Sequence, residues 1–567
     1  MKVLILGGYG VFGGRLVGLL ADCVDLELLI CGRSLTKASR FCADHHGQAR
    51  LRPVQLDRGQ VKASLMAERP DVVVDASGPF QSYGEERYGV IEACIALRIN
   101  YLDFADAADF VFGVTRFDAA AKAAGIFVLS GVSSFPVLTA AVLREMAKTM
   151  DVIQVEGGIA PSPYAGIGLN VMRAVVGYAG EPVKLIRNGK HATGVGLAES
   201  RRFTIAVPGH MPLRNIRFSL VDVPDLQVIP PEHPALTDIW MGAGPVPEIL
   251  HRMLNLLATA RSVFRLPSLV PLAGFFYHVL NLMKFGEHRG GMYVRARGVR
   301  DGAEAMQSWH LLAEGDDGPL IPSMAIEAIL RNCLDGASAL PGARPATGAL
   351  ELADYEQMFK TRAIWSSMRK DPPSGNLYEQ VLDTAFDSLP GQVKALHSGT
   401  ETRTWSGRAQ VVRGRGVLAR PICRVMGFPQ EGKNVPVKVV LSPTKDGERW
   451  TRTFDGITFS SFQERGTGRN AHLLIERFGV IKVAIALVLD RDRLHFVPRK
   501  WWCLGLPLPK SLLPRSHSFE TETDGQFKFD VQVSVPFFGL IVSYAGGLEP
   551  SNPVSPQGCP PRPLLRT

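Results

Sequence analysis

The stretch KVLILGGYGVFGG, Lys2 to Gly14, decides how this 567-residue chain is read. Val3, Leu4, Ile5 and Leu6 form an unbroken apolar run, the pattern of a central parallel strand covered on both faces. Gly8, Gly10 and Gly13 follow as GxGxxG, and a helix is expected from about Val11 to Ala21. In such a strand-turn-helix the first glycine permits the tight turn, the second lets backbone approach a pyrophosphate, and the third lets helix pack close to strand. The helix then aims its first amides at the phosphates. The spacing predicts a dinucleotide site built from Gly7, Gly8, Tyr9, Gly10, Val11, Phe12 and Gly13.

The end of the second strand selects the nucleotide. An NAD site presents an acidic residue there for the ribose 2'-hydroxyl. This chain has Cys31-Gly32-Arg33-Ser34, while Glu27 lies near the start of the strand, Leu26 to Ile30. Arg33 offers a fork of donors suited to a phosphate, Ser34 adds a hydroxyl and Lys37 a second charge, so the expected cofactor is NADP. A solvated surface arginine is the competing reading of Arg33. Further strands are expected at 51–56, ending at Asp57 on the adenine side, and at 71–75, leading into Ser77, Gly78 and Pro79 beside the nicotinamide.

Length and composition imply two or three globular domains. The 8 cysteines form no CxxC, and the chain opens on a strand pattern, so a cytoplasmic setting is expected. A net charge of +9 suits an anionic cofactor or an acidic membrane surface, but the basic residues are dispersed and no nucleic-acid motif appears, so no nucleic-acid partner is expected. Residues 266–283, LPSLVPLAGFFYHVLNLM, carry no fixed charge. They read as a buried helix or lid, as a peripheral membrane contact, or, against Pro267, Pro271 and His278, as a span.

Several motifs together bear a family resemblance. Ser77-Gly78-Pro79-Phe80, Tyr83-Gly84, the Cys94 region, Tyr101-Leu102-Asp103, Gly131 to Pro136, and Gly286 to Met292 resemble signatures of the saccharopine dehydrogenase-like oxidoreductases. The resemblance covers residues 1 to about 360. It implies an α/β Rossmann-type doubly wound parallel sheet in residues 1–132, completed by 317–360 returning, and an α+β mixed-sheet substrate domain in 133–316. It also implies nicotinamide-dependent redox chemistry. The apolar segment around 246–285 points to a bulky or lipid-linked substrate, and reduction of a C=C or C=N bond is the expected reaction. The rival reading is a protein that binds NADP without turnover, in lipid association or sensing.

For the proton donor, Asp103 and Asp106 stand at the end of a predicted strand and either serve a substrate or cap the helix beginning near Ala107. Tyr83 binds substrate or is a plain turn residue. His288, in a glycine-rich loop, is a proton-exchange candidate or a solvent-facing side chain. YxxxK, HExxH, GxSxG and cysteine-histidine clusters are absent, so no metal site is expected.

The C-terminal third changes pattern. After a linker at 371–375 and a helix at 377–389, strands such as 435–441, 450–454, 484–489, 494–497 and 527–535 dominate. Gly427 to Pro429, Trp450 to Arg452, Glu476 to Gly479 and Leu506 to Pro509 resemble a domain family of unknown function appended to such oxidoreductases. Residues 377–548 are therefore expected to form a mainly antiparallel β domain, either a barrel around an apolar ligand or a scaffold, with a homodimer as one use. The proline-rich tail, 549–567, is expected to be disordered.

Overall fold

The computed structural model describes residues 1–551 apart from 167, 246, 283, 417, 418 and 537. Two compact units emerge: Met1–Ile205 with Ile216–Asp371, and Ala206–Asn215 with the chain from Pro372 onward.

In the first unit, β1 (Lys2–Leu6), β2 (Glu27–Gly32), β3 (Arg50–Gln55), β4 (Val72–Asp75), β5 (Asn100–Asp103) and β6 (Phe127–Ser130) form a parallel sheet. A seventh strand, Gly342–Pro345, joins parallel to β6 from the returning segment. The order is Gly342–Pro345, β6, β5, β4, β1, β2, β3. Strand order reverses at β1, so the crossovers leaving β1 and β4 diverge and open a crevice at the strands' carboxyl ends. Val3, Leu4 and Ile5 are fully buried, as the apolar run requires. The helix Ile321–Leu334 packs on Val11–Leu19, with Ser323 Oγ donating to Phe12 O at 3.3 Å and Arg331 to Leu19 O at 2.9 Å.

The second sheet of this unit is mixed, in the order Ser200–Phe203, Ile216–Leu220, Asp238–Ala243, Asp151–Ala160, Arg289–Arg300, Ala303–Glu314, Ile364–Asp371. Two boundaries differ from the 133–316 expectation. The chain supplies a last strand to this sheet after its visit to the first one, and residues 206–215 leave the sheet and belong to the second unit. Neither crossing has a local signal, since both are set by partners distant in sequence.

The second unit is a closed antiparallel barrel of ten strands, Arg403–Arg413, Gly432–Thr444, Gly447–Phe454, Ile457–Arg465, Leu474–Phe478, Ile481–Asp490, Arg493–Cys503, Ser518–Thr523, Gln526–Val535 and Gly539–Pro550. Each pairs with its successor in this order and the last pairs with the first, so no edge remains on this path. Its core is aromatic, with Trp405, Trp450, Phe454, Phe459 and Phe527 buried. It also encloses charge: Arg403 pairs with Glu448 at 3.0 Å, and Glu476 accepts from Ser461 at 2.7 Å and Gln463 at 3.1 Å. The expected helix 377–389 is two pieces, Leu377–Leu382 and a 3-10 turn Asp383–Ser388, the break falling where Asp383 takes φ +53°. Residues 549–551, expected to be disordered, are ordered: Glu549 and Pro550 complete the last strand, and Ser551 N–H donates to Thr404 O at 2.9 Å. Residues 552–567 lie outside the described residues.

Candidate functional site at the crevice

The glycine loop divides its labour differently from the sequence reading. The tight turn falls on Gly7, at φ +73°, whose N–H and that of Gly8 both donate to Cys31 O, at 2.9 and 3.1 Å. Gly8 keeps a negative φ and is glycine for space: a Cβ there would stand 3.1 Å from Ile5 O and from Ile30 Cγ2. At Gly13 a Cβ would meet Gly7 O at 2.5 Å and Gly8 Cα at 2.8 Å, so the close approach of helix to strand holds. Gly10 precedes the helix Val11–Leu19 with no side chain capping it, which leaves the first amides of that helix for an anion.

At the end of β2, Tyr9 lies across Gly32, where any Cβ would run into its ring, and Tyr9 Oη accepts from Ser34 N–H at 3.3 Å. Ser34 Oγ caps the helix Leu35–Ala43 by accepting from Lys37 N–H at 3.3 Å. Arg33 and Lys37 are exposed. Glu27 sits at the far end of β2, 3.4 Å from Arg52. Asp57, beyond β3, is exposed and accepts from Gly59 N–H at 3.0 Å.

The end of β4 holds a network that sequence reading missed. Asp75, fully buried, pairs with Arg58 and accepts from Ser77 Oγ at 2.5 Å and Ser77 N–H at 3.0 Å. Tyr83 Oη bonds Ser77 Oγ at 2.9 Å, and the Arg58 guanidinium lies 3.7 Å from the Tyr83 ring centroid. Burial, and then the Asp75 charge, push the Tyr83 hydroxyl well above its ordinary value. Tyr83 thus fixes the turn Ser77, Gly78, Pro79, which is more than a plain turn residue does.

Asp103 faces inward. Its carboxylate accepts from Gly131 N–H at 2.7 Å, Ala105 N–H at 3.0 Å and Ser130 Oγ at 2.8 Å, and the side chain is fully buried. Burial pushes its carboxyl up to about 7 against those three donors. It holds the β5 and β6 loops together and presents no surface to a substrate, which corrects its place among the proton donors. Asp106 differs: it is half-buried, takes one bond from Gln81 Nε2 at 3.1 Å, and burial raises its carboxyl. It does not cap the next helix, Ala108–Gly113, whose N-cap is Ala107 with no side-chain bond.

The second domain of the unit reaches over this face. Arg15 donates to Ala165 O at 2.6 Å, Gly168 lies against Val11, and Asn170 Nδ2, in the first turn of the helix Leu169–Tyr178, donates to Gly78 O at 2.8 Å. Tyr178 ends that helix. Burial raises its hydroxyl well above the usual value, with Asp222 and Asp106 adding to the rise. Burial, then the Asp109 charge, push the Asp222 carboxyl up to about 6. Asp106, Tyr178 and Asp222, all half-buried, therefore fall within electrostatic reach of one another. Neither Tyr178 nor Asp222 had a motif to betray it. The His288 ring is 4.7 Å from that of Tyr164 and 3.3 Å from Asp316, with no bond to Asp103, Asp106 or Tyr83.

On the mixed sheet a separate cavity of about 570 Å³ is lined by Arg187, Arg201, Arg202, Arg295 and Arg297 around Glu156. Glu156, 7% exposed, pairs with Arg201 and Arg295 at 2.8 Å each and accepts from Tyr293 Oη at 2.9 Å. Among the described residues no group of histidine, cysteine and carboxylate side chains could hold a metal ion.

Strand order, glycine turn and uncapped helix define the first 130 or so residues as a Rossmann-type dinucleotide-binding domain. Residues 3–129 match the family described as the saccharopine dehydrogenase NADP-binding domain, and residues 389–548 match the domain of unknown function DUF4166. The chain thus joins a domain similar to the saccharopine dehydrogenase NADP-binding domain to one similar to DUF4166. A search of curated proteins found no match. Among solved structures, an apo saccharopine dehydrogenase (L-Glu forming) from Saccharomyces cerevisiae is 13% identical with a TM-score of 0.46, over 65% of this chain and 99% of that one. An amine dehydrogenase from Mycobacterium smegmatis is 11% identical with a TM-score of 0.32, over 60% and 94%.

Proposed function

We propose that the chain is an NADPH-dependent oxidoreductase that reduces a C=C or C=N bond of a bulky, apolar or lipid-linked substrate. The observation that carries this reading is the 2.8 Å bond from Asn170 Nδ2 to Gly78 O, which ties the helix Leu169–Tyr178 to the Ser77-Gly78-Pro79 turn at the carboxyl end of β4, with Asp106 and Asp222 within electrostatic reach of Tyr178. The residues fit the cofactor. Gly10 opens the helix Val11–Leu19 with no side chain over its first amides, which a pyrophosphate can meet, and Arg33 and Lys37 are exposed for a 2'-phosphate.

NADPH, when bound, supplies the hydride, and this chain supplies the second hydrogen as a proton. Asp222 suits that task, because a carboxyl near 6 is partly protonated at neutral pH and surrenders its proton readily. Tyr178 keeps its proton and orients the acceptor by donating a hydrogen bond. The apolar helices Glu248–Phe264 and Ala273–Leu282, packed near Leu169–Tyr178, favour a hydrophobic acceptor.

The test is stereospecific deuterium transfer from deuterated NADPH to enoyl thioester and imine acceptors. Transfer that Tyr178→Phe and Asp222→Asn slow by ~10²–10⁴-fold, with NADPH affinity intact, is the expected result. Tight NADPH binding without transfer to any acceptor of either class would favour a non-catalytic NADP-binding protein.

A further inference from the structure

The helix Glu248–Phe264 buries three polar side chains on its inner face, His251 at 2% exposed, Asn255 at 8% and Arg261 at 7%, while Arg252, Thr259 and Ser262 stay in solvent. Ile249, Met253, Leu256, Val263 and Phe264 lie on the opposite face, and Leu256 and Phe264 are 70% and 72% exposed. Two of the inward groups are held by polar bonds. Asn255 Nδ2 donates to Leu197 O at 2.6 Å and Ser219 Oγ at 2.9 Å. Arg261 donates to Ala179 O at 2.6 Å and pairs with Glu181. The helix therefore cannot roll its apolar face inward without breaking buried polar bonds.

The next helix continues the surface. Ala273–Leu282 buries Ala273 against Met172 and Val176 yet leaves Phe275 64% and Leu282 84% exposed, and Phe285 beyond it is 64% exposed. So many large apolar side chains on two consecutive helices exceed the scattered exposures of an ordinary surface. Among the described residues no helix is long and apolar enough to cross a membrane. The expected single segment 266–283 is in fact broken into a 3-10 turn at Val270–Leu272 and a short helix.

We propose that this face docks on a lipid bilayer bearing anionic headgroups. Charge selects that occupant. No acidic residue occurs between Glu248 and Glu287, while Arg265 and Lys284 stand exposed within the surface. A two-fold contact with a second copy would bring these like charges together, whereas anionic headgroups neutralise them. Apolar side chains inserted at the headgroup boundary, with cations at its level, are the pattern of an interfacial helix. On their inner side the same helices pack on Leu169–Tyr178, so a lipid entering from the bilayer is one helix layer from the crevice. That last step rests on the proposed function, and the docking surface does not.

The test is flotation of the full chain, without nicotinamide, on vesicles of phosphatidylcholine alone and of phosphatidylcholine with phosphatidylglycerol. Binding to the mixed vesicles, at least tenfold weaker on phosphatidylcholine alone and weakened by salt, is expected. The triple variant Leu256→Ser, Phe264→Ser, Phe275→Ser should lose at least tenfold in partitioning with its thermal midpoint kept. Should that variant fold poorly, the pair Arg265→Glu and Lys284→Glu should give the same loss on mixed vesicles. No flotation on either vesicle would overturn the proposal. So would a concentration-dependent dimer, seen by light scattering, that the triple variant abolishes without any vesicle binding. The assay involves no redox step, so its failure is distinct from failure of the reductase reading.

Discussion

Asn170 and Gly78 are joined by a 2.8 Å hydrogen bond from side-chain amide to backbone carbonyl, so the first turn of Leu169–Tyr178 is tied to the loop after β4. That loop borders the proposed nicotinamide site, and the helix ends on Tyr178. Replacing Asn170 by Ala removes one hydrogen bond, about 1 kcal/mol of local tethering. Turnover should fall several-fold while the thermal midpoint moves by only a few degrees. Unchanged steady-state kinetics would show that the tether does not hold the reactive geometry.

Asp103 makes stability depend on pH in a definite direction. Its folded value of about 7 lies above an unfolded value of ~3.9, so the folded state holds the proton more tightly. Its contribution is fully present below about pH 4 and is lost as pH rises through about 7. The difference of roughly 3 pH units corresponds to at most about 4 kcal/mol. Asp103→Asn keeps an acceptor for Gly131 and Ala105 and has no titration. Denaturant unfolding should show the variant gaining on the wild type between pH 5 and 8. A constant difference across that range would mean the carboxyl titrates at its ordinary value.

Gly13→Ala tests the helix-strand approach. The added methyl would stand 2.5 Å from Gly7 O, against backbone that cannot swing away as a side chain can. The expected outcome is a cost of about 1–3 kcal/mol in stability together with loss of nucleotide affinity. Gly14→Ala is the control, because its nearest neighbour would be the Phe41 ring edge at 3.4 Å. Equal behaviour of the two variants in thermal unfolding and nucleotide titration would contradict the assignment.

Glu156 neutralises two of the arginines around the 570 Å³ cavity. Glu156→Gln leaves Arg201 and Arg295 facing each other across a nearly buried position. A loss of about 1–3 kcal/mol is expected on denaturant unfolding, since both arginines keep contact with solvent. A loss under 1 kcal/mol would mean that water already screens the pair.

The parts legible in the sequence were those where one residue type serves one geometry. The apolar run of β1 and the glycines at 7, 8, 10 and 13 announce their strand and turn, although which glycine carries the positive φ depended on the Cys31 carbonyl in the next strand. The return of 317–360 to the first sheet was implied by the family resemblance, but the strand Gly342–Pro345 was not read from its own glycines and prolines, since its pairing with β6 is set by a partner distant in sequence.

The site proper was less legible. Arg58 reads as a loop cation until Asp75 and the Tyr83 ring are brought to it. Tyr178 and Asp222 belong to a helix and a strand end with no shared motif, and only packing brings them near Asp106. The segment 246–285 read only as apolar, and nothing in its sequence showed that Asn255 and Arg261 would turn inward to Leu197, Ser219 and Ala179 while Leu256 and Phe264 stay outside.

The most direct test of the central claim is calorimetric titration of NADPH and NADH into the wild-type chain and Arg33→Asp. Wild type should prefer NADPH, and the variant should lose NADPH affinity at least ~100-fold, the order expected when a charge-assisted phosphate contact becomes a repulsion. An unchanged preference in the variant, or no binding of either nucleotide to the wild type, would contradict that claim.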